Sequence, residues 1–87
     1  MAELIVTVGS VTTATRLEKL LRKYKGIKTK VIHTPTSINS GGCSYSLLSD
    51  IENISYIKDV AREYGVELRK FYIKDLSKGE KNYHAIP

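Results

Sequence analysis

The chain has one cysteine and no tryptophan among its 87 residues. A single cysteine cannot form an internal disulfide, which excludes a disulfide-stapled secreted module and a cysteine-based zinc finger. No apolar run approaches the roughly 20 residues that cross a bilayer. The N-terminus shows no basic segment followed by an apolar leader and a cleavage site. We therefore expect a reduced, cytoplasmic domain that is not embedded in a membrane.

Acidic residues are also few. Nine Asp and Glu stand against fourteen Lys and Arg, which gives a formal net charge of +5. Seven of the basic residues lie within residues 16–30, where Glu18 is the one carboxylate. Such a block can bind nucleic acid or an acidic partner. It is equally the pattern of an ordinary solvated helix face, and the sequence leaves both interpretations open.

The sequence contains two similar halves, and the first reads strand, helix, strand. The β-branched run at residues 4–8 predicts a buried strand. Ser10 or Thr12 can cap the helix that follows, and Gly26 is a suitable stop for it. Residues 29–34 predict a second strand. The apolar stripe of the helix falls at i, i+3, i+7 and i+10: Ala14, Leu17, Leu21 and Tyr24.

The second half repeats this order. Residues 44–48 predict a third strand, and Asp50 is a good N-cap for a second helix. Gly65 is expected to end that helix, and residues 66–76 predict a fourth strand. The apolar stripe has the same spacing as in the first helix: Ile54, Ile57, Ala61 and Tyr64.

The order β-α-β-β-α-β predicts an α+β fold, a ferredoxin-like sandwich with two helices on one face of a four-stranded antiparallel sheet. We place this single domain at residues 1–76. Residues 77–87 read as a polar, flexible tail. A sheet with one open face and two exposed edges could also pair with a second copy, so a homo-oligomer is a further option.

The segment around the lone cysteine differs from the scaffold. A Gly-Gly pair directly before Cys43 lets several backbone N–H groups point to one spot, which favours an anion such as a thiolate or persulfide. In the predicted topology this loop shares an end of the sheet with the turn that opens the first helix, where a helix N-terminus adds positive charge. We take Cys43 as the candidate functional thiol. The candidate anion-binding residues are Gly41, Gly42, Ser44, Ser10 and Thr12.

Structural roles compete with each of these assignments. Cys43 also fits a small buried apolar residue at the start of a strand, and Ser10 and Thr12 fit simple helix capping. His33 and His84 lack metal-ligand spacing with the cysteine, so no metal site is predicted. The absence of Asp and Glu from the cysteine loop disfavours a hydrolytic Cys-His pair.

Most of residues 4–75 resembles the "Putative Se/S carrier protein-like" family of small bacterial proteins. The resemblance is carried by the apolar first strand, Glu18-Lys19-Leu20-Leu21 in the first helix, Gly26-Ile27, and Thr34-Pro35 followed by the Ser/Gly loop into Cys43. It implies a β/α domain whose cysteine carries sulfur or selenium, with Ser40-Gly41-Gly42 as the small-residue loop. The chain departs from the family at two positions, where Thr36 replaces a frequent arginine and Ser44 a frequent glycine.

The function predicted on this basis is a carrier rather than a turnover enzyme. Cys43 would hold persulfide or selenide and relay it from a donor protein to an acceptor protein. We expect no metal, nucleotide or flavin cofactor. The alternative is a small basic binding module for nucleic acid, such as tRNA, or for an acidic protein, in which Cys43 is structural.

Overall fold

The computed structural model describes residues 2–36, 38, 45–75 and 82–86. A short 3₁₀ turn at Ile51–Asn53 leads into the second of two helices. The helices are α1 (Val11–Lys25) and α2 (Ile54–Tyr64). The strands are β1 (Ala2–Val8), β2 (Lys30–His33), β3 (Tyr45–Asp50), β4 (Phe71–Asp75) and β5 (Asn82–Ile86).

The strands form one antiparallel sheet in the order β2-β3-β1-β4-β5. The central strand is β1, whose Val6 lies opposite Leu47 on β3 and Phe71 on β4. The predicted α+β class and antiparallel sheet are confirmed. The predicted count of four strands is wrong, because β5 lies in the segment interpreted as a tail and pairs with β4 along its whole length. The ferredoxin-like assignment stays a prediction.

The core lies between this sheet and the two helices. Leu4 and Val6, which alternate along β1, are fully buried against apolar side chains of both helices. Burial of each such side chain stabilises the fold by about 1.5–3 kcal/mol. Neither of the two described helices is long and apolar enough to cross a membrane. The fully buried helix residues of this core are Leu17, Leu21, Ile57 and Val60.

Local signals set the ends of the helices, with one exception. Gly26 and Gly65 end α1 and α2 in the left-handed conformation, at φ 66° and 67°, as predicted. Ser10 caps α1. The prediction that Asp50 caps α2 is wrong: its side chain makes no capping hydrogen bond, and a 3₁₀ turn separates it from the helix. The helix begins after Asn53, which also has no side-chain capping bond.

The fourth strand is shorter than predicted, because residues 66–70 connect α2 to it. Two residues of this connection bond to the end of β1: the Thr7 N–H donates to the Lys70 carbonyl at 2.9 Å, and the Arg69 N–H donates to the Thr7 carbonyl at 2.9 Å. The Lys70 N–H also donates to the Thr7 hydroxyl at 2.9 Å. Thr7 is only 2% exposed, and the hydrogen bond from Lys70 satisfies its buried hydroxyl. The connection therefore follows β1 to its end.

Candidate functional site

Two of the six predicted site residues, Ser10 and Thr12, are described by the structure. They lie at the start of α1. The strands that precede and follow the cysteine-containing loop are described as well. The other four residues, Gly41, Gly42, Cys43 and Ser44, lie outside the described residues, so their assigned roles stay predictions.

One end of the sheet, which we call the loop end, is marked by the row of Val8, Tyr45 and His33. Val8 is the last residue of β1 and lies opposite Tyr45, the first residue of β3. Tyr45 in turn lies opposite His33, the last residue of β2. The chain enters α1 three residues after Val8. The register therefore brings the start of α1 together with the strand ends on both sides of the cysteine-containing segment, as predicted.

Ser10 caps α1 with its side chain. Its Oγ accepts a hydrogen bond from the Thr13 N–H at 3.1 Å and lies 3.0 Å from the Thr13 hydroxyl, while its carbonyl accepts from the Ala14 N–H at 3.1 Å. The Thr13 N–H, one of the four that a helix start leaves free, is satisfied in this way, and the Ala14 N–H makes the first intrahelical bond. Within the described residues, the N–H groups of Val11 and Thr12 have no acceptor. Capping is thus the observed role of Ser10, and two N–H donors at the loop end are left.

A cation that sequence reasoning missed lies at the same end. The guanidinium of Arg69 packs over Gly9, so closely that a β-carbon at position 9 would lie 3.2 Å from Nη2. Arg69 is held there by the hydrogen bond of its backbone N–H to Thr7 at the end of β1. In the sequence this arginine reads as part of a strand, and nothing local places it near the turn before α1. The loop end therefore combines a helix N-terminus with an arginine.

The start of the cysteine-containing segment is anchored to β3. The Thr34 hydroxyl lies 2.6 Å from the Ser46 hydroxyl, and these residues are 6% and 0% exposed. The Ile38 N–H donates to the Pro35 carbonyl at 3.0 Å, which forms a turn directly after this anchor. The Thr34-Pro35 pair was singled out in the sequence, but its partner on the next strand was not. A buried hydroxyl pair therefore sets where the segment leaves the sheet.

Among the described residues, the two histidines show no arrangement suited to metal binding. The His33 ring lies 4.9 Å from the Tyr45 ring at an angle of 35°, so it packs on an aromatic neighbour at the loop end. His84 is exposed on β5, opposite Ile73. Within the described residues, no group of three or more His, Cys, Asp and Glu side chains could hold a metal ion.

The opposite end of the sheet, which we call the far end, is polar and of mixed charge. Lys28 and Lys30 line a cavity of about 270 Å³ there, together with Glu3 and Asp50. The hydroxyl of Thr29 is buried beside them, with no hydrogen-bond partner among the described residues. This part of the basic block lies at the end of β1 away from Val8, as predicted, so its charges are distant from the loop end.

The C-terminal ends of the two helices are joined by a stacked pair of tyrosines. The rings of Tyr24 and Tyr64 stack with centroids 5.1 Å apart and planes at 18°. Arg16 Nη2 donates to the Tyr64 carbonyl at 2.8 Å. Desolvation raises the pKa of the Tyr64 hydroxyl above its ordinary value, and hydrogen bonding and charge of Tyr24 raise it further. Tyr64 is therefore neutral near pH 7 and serves to join the helices.

Comparison with known proteins gives a family but no individual relative. Neither the curated proteins nor the solved structures contain a match to this chain. The model of one family, described as "Putative Se/S carrier protein-like", matches residues 3–73. This range contains both helices, β2, β3, the cysteine-containing segment and most of β1 and β4. The chain therefore belongs to the "Putative Se/S carrier protein-like" family.

Proposed function

We propose that this protein carries sulfur or selenium on Cys43 and passes it from a donor protein to an acceptor protein. The family supports this proposal by its description. The observation that carries it is the register of the loop end, where Val8 and Tyr45 are opposite each other. Cys43 precedes Tyr45 by two residues, and two peptide units reach only about 7 Å. This short distance supports, as part of the proposal, a position of Cys43 near the edge where α1 begins.

The proposed chemistry is thiol–persulfide exchange. The Cys43 thiolate attacks the terminal sulfur of a donor persulfide, so that a bond forms between the two sulfurs and the donor's own S–S bond breaks. The donor leaves as a thiolate, and Cys43 holds the persulfide. A nucleophile of the acceptor then attacks the terminal atom and releases the Cys43 thiolate. Selenium is held in the same way, and no redox cofactor enters either step.

Two features of the loop end favour an anionic sulfur. The N–H groups of Val11 and Thr12 and the dipole of α1 place partial positive charge at the helix start. The guanidinium of Arg69 adds a full positive charge beside Gly9. A neighbouring cation lowers the pKa of a thiol and so raises the fraction of thiolate near pH 7. We include Gly41, Gly42 and Ser44 in this anion site as part of the proposal.

The proposal also includes the setting of the reaction. Donor and acceptor proteins in the cytoplasm of a bacterium would exchange sulfur with the carrier by docking, so the protein needs a surface more than an enclosed pocket. Neither the tRNA nor the homo-oligomer considered from the sequence is required by this chemistry.

Sulfur loading tests the proposal directly. The full chain is incubated with a cysteine desulfurase and cysteine, and its intact mass is measured with and without a reductant. We expect the mass of one added sulfur atom on the wild type, removed by the reductant, and none on Cys43→Ser. Absence of added sulfur on the wild type, or equal labelling of both proteins, would contradict the proposal.

The role of Arg69 is tested through the thiol itself. We expect Arg69→Gln to raise the pKa of Cys43, because a nearby positive charge favours the thiolate. The rate of alkylation by iodoacetamide as a function of pH reports this pKa. Arg62→Gln is the matched control, since Arg62 is an exposed arginine of α2 paired with Asp59 at 3.1 Å. An equal pKa in both variants would remove Arg69 from the site.

A further inference from the structure

The outer surface of α1 borders a groove of about 530 Å³, and the carrier chemistry uses none of its residues beyond the first turn of the helix. Its lining residues recur along the helix at steps of three and four, so they form one continuous stripe. The stripe begins at the first residue of α1 and ends near its last turn, a length of about 20 Å at 1.5 Å per residue. Thr12 and Thr15 line this α1 groove together with Val11, Arg16, Lys19, Leu20, Lys23 and Tyr24.

The floor of the α1 groove is apolar. Val11 is 44% exposed and Tyr24 is 49% exposed, which are large values for such side chains. Leu20 lies between them and is half-buried against the core. Apolar side chains that line a groove and are flanked by polar groups mark a site of interaction with another protein. The α1 groove therefore offers an apolar strip to a partner.

The rim of the α1 groove is positively charged. Arg16, Lys19 and Lys23 line it, and no carboxylate does so among the described residues. The ion pair formed on α1 is between Glu18 and Arg22, at 3.3 Å, and neither residue lines the groove. The groove thus combines an apolar floor with three cations that no described carboxylate neutralises, which complements a surface that is apolar and acidic.

We propose that the α1 groove binds an acidic amphipathic helix of a partner protein. A helix of about four turns matches its length, with apolar residues on the floor and Asp or Glu against the rim. A single-stranded nucleic acid fits less well, because stacking bases need an open aromatic face. The ring of Tyr24 is already stacked on Tyr64, and Lys23 Nζ lies 5.3 Å from its centroid.

This docking surface shares Val11 and Thr12 with the proposed anion site and otherwise lies along the rest of α1. The groove begins at Val11, at the loop end, and runs away from it along α1. A partner bound in the groove would extend to the edge where Val8 and Tyr45 are paired. Binding in the groove does not require Cys43, so it can be measured without any sulfur transfer.

The test is an NMR titration of the ¹⁵N-labelled full chain carrying Cys43→Ser. The probe is an acidic peptide about four helical turns long, with leucine along one face and glutamate elsewhere. We expect amide shifts concentrated on α1, and binding that weakens as salt is raised. The charge-swapped peptide, with lysine for glutamate, and polyuridylate RNA are titrated under the same conditions. We expect neither of them to shift the groove residues.

Charge-reversal variants locate the site. Lys19→Glu with Lys23→Glu should weaken binding of the acidic peptide at least about tenfold. The matched control is Lys25→Glu with Lys28→Glu, which removes the same charge from the same basic block at exposed residues outside the groove. We expect this control to bind within about twofold of the parent. Val11→Ser tests the apolar floor and should weaken binding about threefold.

Three results would overturn the proposal. The first is the absence of α1 shifts with the acidic peptide at millimolar concentration. The second is equal weakening by the two charge-reversed variants, since binding would then depend on net charge alone. The third is binding of RNA, but not of the acidic peptide, at the groove residues. Because the titrated protein lacks Cys43, none of these results depends on whether the protein carries sulfur.

Discussion

The two helices are alike on their inner faces and different at their N-termini. Each buries a stripe of three residues, and each ends at a glycine with nearly the same backbone angles, φ 66° at Gly26 and 67° at Gly65. The side chain of Ser10 caps α1, whereas neither Asp50 nor Asn53 places a side-chain cap on the 3₁₀ turn or on α2. The shared inner faces are a consequence of packing on one sheet.

The outer faces differ in charge as well. α1 carries five basic residues and one acidic residue, whereas α2 carries two of each. α1 also begins at the loop end, while the turn into α2 starts at the far end, where Asp50 lies opposite Glu3. The helix with the side-chain cap and the basic surface is thus the one that starts beside the cysteine-containing segment. Packing on one sheet accounts for the similarity of the two helices, and the proposed function would account for their difference.

The largest expected losses of stability test whether the buried faces of the two helices contribute equally to the core. We expect Leu17→Ala and Ile57→Ala each to lower the free energy of unfolding by about 3 kcal/mol, because both side chains are fully buried in one core. Leu20→Ala, at a half-buried position, should cost about 1 kcal/mol. Urea unfolding followed by circular dichroism measures all three. A cost at Leu17 far below that at Ile57 would show that the helices do not share the core equally.

Because both helices end at a glycine in the same conformation, we expect two smaller and equal losses of stability. Gly26→Ala and Gly65→Ala should each destabilise the protein by about 1–2 kcal/mol, because a β-carbon disfavours the left-handed conformation. Nothing lies within 4 Å of a β-carbon at either position, so the whole cost comes from the backbone. Thermal and urea unfolding should give equal values. Asparagine tolerates this conformation better than alanine, and asparagine variants as unstable as the alanine variants would argue against this cause.

The difference between the N-terminal ends of the two helices predicts the smallest loss of stability. Ser10→Ala should lower the free energy of unfolding by about 1 kcal/mol, because the Thr13 N–H loses its side-chain acceptor. Asp50→Ala should cost less than about 0.5 kcal/mol, since its side chain makes no capping bond. Ser10→Asp, which keeps an acceptor at the cap, is the control and should be near neutral. Equal losses in Ser10→Ala and Asp50→Ala would remove the contrast between the two helix starts.

Sequence reasoning was most successful where the signal is local. The two glycine stops and the buried parts of the apolar stripes were predicted, as was a cap at Ser10 or Thr12, because a helix is built from contacts three and four residues apart. The inclusion of Tyr24 in the stripe of α1 is wrong, since its side chain is 49% exposed. The Asp50 cap was predicted and is wrong, because the strand continues to Asp50 through pairing with β1. The strand β5 was missed, because its pairing with β4 supplies the backbone hydrogen bonds that its short, mostly polar sequence does not predict.

The same division between local signals and contacts of distant residues holds for the candidate site. The interpretation of Cys43 as the functional thiol, which stays a prediction, and the cap at Ser10 both rest on residue types alone. Arg69 was not found in this way, because it lies 60 positions along the chain from Gly9 and reaches it only through the pairing of Thr7 with Lys70. The Thr34–Ser46 hydroxyl pair was missed for the same reason, since it joins the residue that follows β2 to the neighbouring strand β3.

The sequence by itself determined the family, the two helices with their buried faces, and the cysteine that the proposed function requires. Only the tertiary structure decided that the sheet has five strands and that Arg69 stands beside the start of α1. It also decided that Val11 and Tyr24 are exposed along one groove. Helix periodicity and caps depend on residues a few positions apart, whereas strand register and surface exposure depend on residues that meet only when the whole chain has folded.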